Sequence, residues 1–105
     1  MDHRQSELVD FLKRRVFDPV LRADEDGRSD NERRKLADVK DATRSEVDRY
    51  RNYSSAQDLV NNFKDDLTSE PAQKIERESR ELNLPTLKDV RQDFESKARD
   101  LGLNA

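Results

Sequence analysis

Residues 29–51 read SDNERRKLADVKDATRSEVDRYR, and this stretch decides the fold. It opens with the S-x-x-E form of a capping box, from Ser29 to Glu32, which marks the start of a helix. Five further residues recur at spacings of three or four, which places them on one helical face: Leu36, Val39, Thr43, Val47 and Tyr50. We call these five residues the apolar stripe. The sequence therefore predicts a long central helix over about residues 30–51.

The residues before this helix predict a shorter helix followed by a loop. Leu8, Leu12 and Val16 share a face of a helix that we expect over about residues 5–17. Asp18-Pro19 should break or kink it, because a proline disfavours the helical conformation of the preceding residue. Residues 23–29 then form an acidic loop. Its spacing does not match a calcium-binding loop, which needs a glycine where this chain has a serine.

Three shorter helices are expected after the central one, over about residues 55–68, 70–82 and 87–101. Serine or threonine precedes each of them and can cap its first turn. Two similar segments, RELNL at 80–84 and RDLGL at 99–103, read as helix stop signals, because asparagine and glycine tolerate the left-handed conformation. The prediction is one all-α domain over residues 1–105, a small bundle of about five helices. Within it we expect three parts: an N-terminal helix and kink (1–22), the acidic loop (23–29) and the main bundle (30–105).

The composition agrees with helices around a thin core. Hydrophobic residues make up 31% of the chain, below the roughly 45–50% of an ordinary globular domain. Charged residues make up 43%, yet the net charge is only −3, so the charges suit the outer faces of helices rather than a self-repelling disordered chain. Two glycines and three prolines are too few for the tight turns of a sheet protein.

Several functional classes are disfavoured by what the sequence contains. The absence of cysteine excludes disulfides, zinc–thiolate sites and cysteine nucleophiles. The single histidine, His3, lies near the N-terminus, and the chain has no glycine-rich phosphate loop. We therefore expect a protein that is not an enzyme and takes no metal or cofactor. Acidic residues near the N-terminus and the lack of a long apolar run favour a cytoplasmic location without membrane contact.

A basic row on the central helix is the first candidate binding surface. Its members lie within about 40° of one another at 100° per residue: Arg33, Lys40, Arg44 and Arg51. Such a row can bind an acidic helix of a partner protein. The structural alternative is that it pairs with carboxylates on and just after the next helix, namely Asp58, Asp65, Asp66 and Glu70.

The last two helices and the turn between them have helix-turn-helix proportions. Their candidate nucleic-acid-binding residues are Thr86, Lys88, Arg91 and Gln92. Duplex binding depends on neutralising several phosphates, and the net negative charge of the chain argues against it.

The lengths of the helices suggest a function. The central helix spans about 35 Å and the later helices about 20 Å each at 1.5 Å per residue, so one short neighbour cannot cover the apolar stripe. Either the first helix and one later helix share it, or a second subunit covers the rest. We therefore expect a non-enzymatic protein–protein interaction or regulatory module that binds another protein or a second copy of itself. The alternative is a nucleic-acid-associated protein that uses the C-terminal helix pair or the basic row.

Overall fold

The computed structural model describes residues 2–105, and this part of the chain contains helices and no strand, which confirms the predicted all-α class. The first helix, α1, consists of His3–Leu12, a π-helical turn at Lys13–Phe17 and a short α-helical segment at Asp18–Leu21. The others are α2 (Asp30–Arg51), α3 (Ala56–Asp66), α4 (Glu70–Glu81) and α5 (Arg91–Asp100). One 3₁₀ turn, Lys88–Val90, leads into α5.

Helix α2 begins and ends where the sequence predicts. The Ser29 hydroxyl accepts a hydrogen bond from the Glu32 backbone N–H at 3.2 Å, and the Glu32 carboxylate accepts one from the Ser29 N–H at 3.1 Å. These reciprocal bonds satisfy two donors that a helix start leaves free. Every residue of the apolar stripe is buried, with at most 9% of its surface exposed.

The apolar stripe is covered within the chain, by different neighbours at its two ends. Val47 and Tyr50 belong to the main core, where α1, α3 and α5 contribute Phe17, Phe63 and Phe94. The other end packs in a smaller core of Val20, Leu36, Val39 and Leu82. The first of the two alternatives is therefore confirmed, because the end of α1 and helix α4 share the part of the stripe that α3 and α5 leave free. The other alternative, coverage of the stripe by a second subunit, is wrong.

Helix α1 continues past the point where a break or kink was predicted, with a π-helical turn just before it. The Asp18 N–H donates to the Lys13 carbonyl five residues earlier, which is the bond of a π-helical turn. Pro19 has no N–H and crowds the carbonyl four residues before it in an ordinary helix. The wider π turn leaves that position without an α-helical bond, so the chain stays helical to Leu21. The predicted end near Phe17 is thus wrong by one turn.

The two predicted stop signals have the same geometry. Asn83 and Gly102 adopt φ values of 58° and 82°, in the left-handed region. The N–H of the following leucine returns to the carbonyl five residues earlier in both cases, from Leu84 to Ser79 at 2.8 Å and from Leu103 to Ala98 at 2.9 Å. This is the Schellman motif, and it ends α4 and α5.

Helix α4 is the least deeply packed of the helices. Of its residues only Ser79 is buried, while Ala72 and Ile75 are half-buried. Leu82, just beyond the helix, is the buried anchor of this region. The apolar face of α4 is therefore left partly open toward α2, where the candidate site lies.

Candidate functional site

Asp66, the last residue of α3, is the centre of a polar cluster between α2 and α3. Its Oδ2 atom accepts a hydrogen bond from the Tyr50 hydroxyl at 2.6 Å and from the Arg49 guanidinium at 2.7 Å. The Asp66 side chain is only 18% exposed. Because hydrogen bonds to a charged acceptor are stronger than neutral ones, these two contacts fix the end of α3 against α2.

Tyr50 is held rigidly in this cluster. Its ring is fully buried, with the Phe17 ring centroid 6.0 Å away and the Tyr53 ring edge-on at 5.4 Å. Burial raises the pKa of the Tyr50 hydroxyl, and its hydrogen bond to Asp66 raises the pKa further. The hydroxyl therefore remains a neutral donor to Asp66 throughout the physiological pH range.

Glu46 lies one turn before Tyr50 on the same helix, and it differs from Asp66 in having no partner. Within residues 2–105 its half-buried carboxyl makes no hydrogen bond and no ion pair. Burial raises the pKa of Glu46 to about 7, with Asp66 adding to the increase and Arg49 opposing it. A carboxyl group with this pKa is roughly half ionised at neutral pH and is ready to respond to a nearby charge.

Two adjoining clefts open beside Glu46. The first, which we call the inner cleft, lies between α1, α2, α4 and residues 85–88, and the free space inside it is about 30 Å³. The second, the outer cleft, lies between α2 and the start of α4 and has about 190 Å³ of free space. Four residues line both of them: Glu46, Asp66, Ala72 and Ile75. The outer cleft therefore has room for a side chain of a partner protein, and the inner cleft is a narrower apolar extension of it.

The inner cleft combines an apolar wall with acidic groups. Its apolar residues come from four parts of the chain: Val16, Val20, Leu67, Ala72, Ile75, Pro85 and Leu87. Glu46, Asp66 and Glu76 supply the carboxyl groups, and Thr43 directs its hydroxyl hydrogen to the Val39 carbonyl at 2.8 Å. Among residues 2–105 no group of three potential ligands is placed to hold a metal ion. The inner cleft therefore places three carboxyl groups beside an apolar wall.

The structure places the basic row away from these clefts. Arg33 and Lys40 donate to backbone carbonyls of the preceding loop, to Glu25 at 3.4 Å and to Ala23 at 2.7 Å. Arg44 pairs with Asp41 on its own helix at 2.9 Å, and Arg51 is exposed.

The carboxylates that we considered as partners of the basic row are not bound to it. Arg49 makes the predicted kind of bridge instead, to Asp66. At 100° per residue, Arg49 lies on nearly the opposite side of α2 from the row. Asp66, one of the predicted acceptors, does form a bridge to α2, but its donor is Arg49 and not a residue of the basic row.

The four candidate nucleic-acid-binding residues do not form one exposed helix face. Thr86 is only 5% exposed, and it exchanges two hydrogen bonds with Asp89, at 3.0 and 3.4 Å, as the cap of the 3₁₀ turn. Arg91 pairs with Glu95 at 3.1 Å. Lys88 is exposed at the inner cleft, and Gln92 is exposed on α5. Thr86 is thus part of the fold rather than of a reading surface.

Glu46 is a functional candidate that was not predicted from the sequence. It lies seven residues after Val39, which at 3.6 residues per turn puts both on nearly the same face of α2. Its position on the edge of the apolar stripe could have identified it from the sequence, because a carboxyl group there must be paired, protonated or open to solvent.

In comparisons with known proteins, no family model, no curated protein and no solved structure matches the chain. None of the helices in residues 2–105 is long and apolar enough to cross a membrane.

Proposed function

We propose that this protein is a non-enzymatic interaction module that binds a segment of another protein in the inner and outer clefts. The observation that carries the proposal is a carboxyl group, Glu46, that lies in an apolar cleft and has no partner within the described chain. A buried charge without a partner is unfavourable, so it is retained at a cost to stability. A partner that supplies a counter-charge and apolar side chains removes that cost.

The shape of the region favours a protein segment over a compact small molecule. The clefts share four lining residues and continue into each other along the α2–α4 groove. A peptide of several residues can therefore contact both, with an apolar side chain in one and polar groups in the other. The absence of cysteine supports a reducing, cytoplasmic setting for this interaction.

A partner different from the chain itself is now favoured over self-association. A second copy was one way to cover the apolar stripe, and neighbours within the chain bury the stripe at both of its ends instead. The clefts give no new reason to expect a second copy, because its basic row would present several cations to a site with one unpaired carboxyl group.

Affinity capture with matched variants tests the proposal. Ala72→Arg places a long side chain in both clefts, while Gln73→Arg adds the same charge at the neighbouring exposed position. A third variant changes the four residues of the basic row to glutamine. We expect the same protein to be captured by the wild type, the Gln73 variant and the row variant, and to be lost with Ala72→Arg.

Other patterns would contradict the proposal. Loss only with the row variant would assign binding to the basic row. Recovery of nucleic acid, with salt-dependent affinity in a titration, would favour the nucleic-acid alternative. Analytical ultracentrifugation that gives a dimer, with the dimer lost in the Ala72 variant, would show that a second copy occupies the clefts.

A further inference from the structure

The acidic groups around the clefts are neutralised from within residues 2–105, except for one. The Asp66 carboxylate is bound by Arg49 and Tyr50. Glu76, on α4, pairs with Arg80 one turn later. Glu46 alone has no counter-charge bound to it within residues 2–105. The clefts therefore offer a single anionic group to a ligand.

The surroundings of Glu46 make its carboxyl group selective for a cation. Apolar side chains from three parts of the chain line the same cleft, among them Val20, Leu67 and Ile75. Water is partly excluded from this cleft. A cation that pairs with the Glu46 carboxylate there is therefore attracted more strongly than it would be on an open surface. An anionic or neutral polar group has no comparable electrostatic attraction to the Glu46 carboxylate.

Cations already present limit how many positive charges a ligand can bring. Lys88 lines the inner cleft and has no ion pair within residues 2–105, whereas Arg49, which lines the outer cleft, is paired with Asp66. A run of consecutive basic residues would bring a further positive charge toward the Lys88 ammonium group, which repels it. One cation, with apolar residues on both sides of it, fits the arrangement of charges.

We infer that the ligand of the clefts is a peptide segment that carries one lysine or arginine between apolar residues, with its cation against Glu46. This inference rests on the proposed function, since it names the chemistry of the partner at the same clefts. The apolar neighbours of the cation occupy the wall that Leu67, Ile75 and Pro85 help to form.

Binding of such a segment depends on pH. Besides Glu46, the charged groups at the clefts are Arg49 on α2, Asp66 on α3, Glu76 on α4 and Lys88 in the 3₁₀ turn. Burial raises the pKa of Glu46 to about 7, so the carboxyl group must lose a proton before it pairs with a cation at lower pH. The affinity should therefore fall about tenfold between pH 8 and pH 6, with a proton released on binding at the lower pH.

Selection from a random dodecapeptide library displayed on phage tests the inference, since it does not require the natural partner. The full chain is the target at pH 8, and Glu46→Gln is the counter-target, because glutamine keeps the shape and removes the charge. Asp48→Asn, an exposed acidic position on the same helix, is the matched control. We expect selected sequences to carry one lysine or arginine flanked by apolar residues, and to be retained by the Asp48 variant.

The selected peptide is then synthesised with its cationic residue replaced by norleucine, and the amide resonances of α4 are followed by NMR. We expect at least tenfold weaker binding of the norleucine peptide at pH 8. We also expect Glu46→Gln to bind both peptides alike and to lose the pH dependence.

Each other outcome has a distinct meaning. Equal affinity of both peptides, with shifts at Ala72 and Ile75, would overturn the inferred cation and leave the proposed clefts standing. Selection of acidic or polybasic sequences, or of none that prefers the wild type to Glu46→Gln, would also overturn it. Shifts confined to residues outside the clefts would count against both the inference and the proposed function.

Discussion

Replacement of Glu46 by glutamine should stabilise the free protein, and more so at higher pH. The pKa of Glu46 is about 7 in the folded chain, against an ordinary value of 4.5. The folded state therefore holds the proton more tightly than the unfolded state between these two pH values. Stability conferred by the protonated form is complete below pH 4.5, falls as the pH rises, and is lost above about pH 7. Glutamine does not titrate and avoids this loss.

The magnitude follows from the size of the shift. Each pKa unit corresponds to about 1.4 kcal/mol, which gives an upper value of about 3 kcal/mol for Glu46. Because the carboxyl group borders two open clefts, water screens part of this effect, and we expect about 1–3 kcal/mol. The free energy of unfolding of Glu46→Gln relative to wild type should rise by this amount between pH 5 and pH 8.

Urea denaturation followed by circular dichroism at pH 5, 6, 7 and 8 measures this difference. The interval is favourable because His3, with a side chain 83% exposed, is the only histidine of the chain. Asp48→Asn is the control and should show no such trend. A difference between Glu46→Gln and wild type that stays constant within about 0.5 kcal/mol from pH 5 to pH 8 would refute the idea that burial controls Glu46.

Three further substitutions test individual contacts, each by urea denaturation at pH 7. Ser29→Ala removes the cap of α2 and should cost about 1 kcal/mol, while Thr68→Ala, at an exposed position between helices, should cost less. Tyr50→Phe removes the donor to Asp66 and should cost about 1.5–3 kcal/mol, and an unchanged stability would show that Arg49 alone holds α3. Gly102→Ala places a Cβ atom at φ 82° and should cost about 1 kcal/mol, although the space around it is open. Gly27→Ala, also at positive φ but in the loop before α2, tests whether the cost depends on the Schellman motif.

The elements of the fold that depend on local sequence could be predicted, and those that depend on packing could not. The bounds of α2 follow from its capping box and from the periodicity of the apolar stripe, both of which are local. The π turn was not predicted because Pro19 disfavours a helix locally. Burial of Val16, Phe17 and Val20 on one side of α1 stabilises the continued helix, and this burial depends on packing.

The candidate site lay beyond prediction for a similar reason. Glu46 and Asp66 are twenty residues apart, and only the docking of α3 and α4 on α2 brings both to the same clefts. The charge-rich sequence offers many carboxylates, so no pairing could be preferred from the spacing. The sequence does show that Glu46 lies beside the apolar stripe, where a carboxyl group must be paired, protonated or open to solvent.

The shallow packing of α4 has a consequence for the dynamics of the protein. A helix with one buried residue should open locally at a lower free energy than α2 or α3, so its amide hydrogens should exchange with solvent before those of the main core. The same helix forms a wall of both clefts. A ligand that bridges α4 to α2 would then slow this exchange, and part of its binding energy would be used to order the helix. In the proposed interaction, binding and local folding are therefore coupled in one helix.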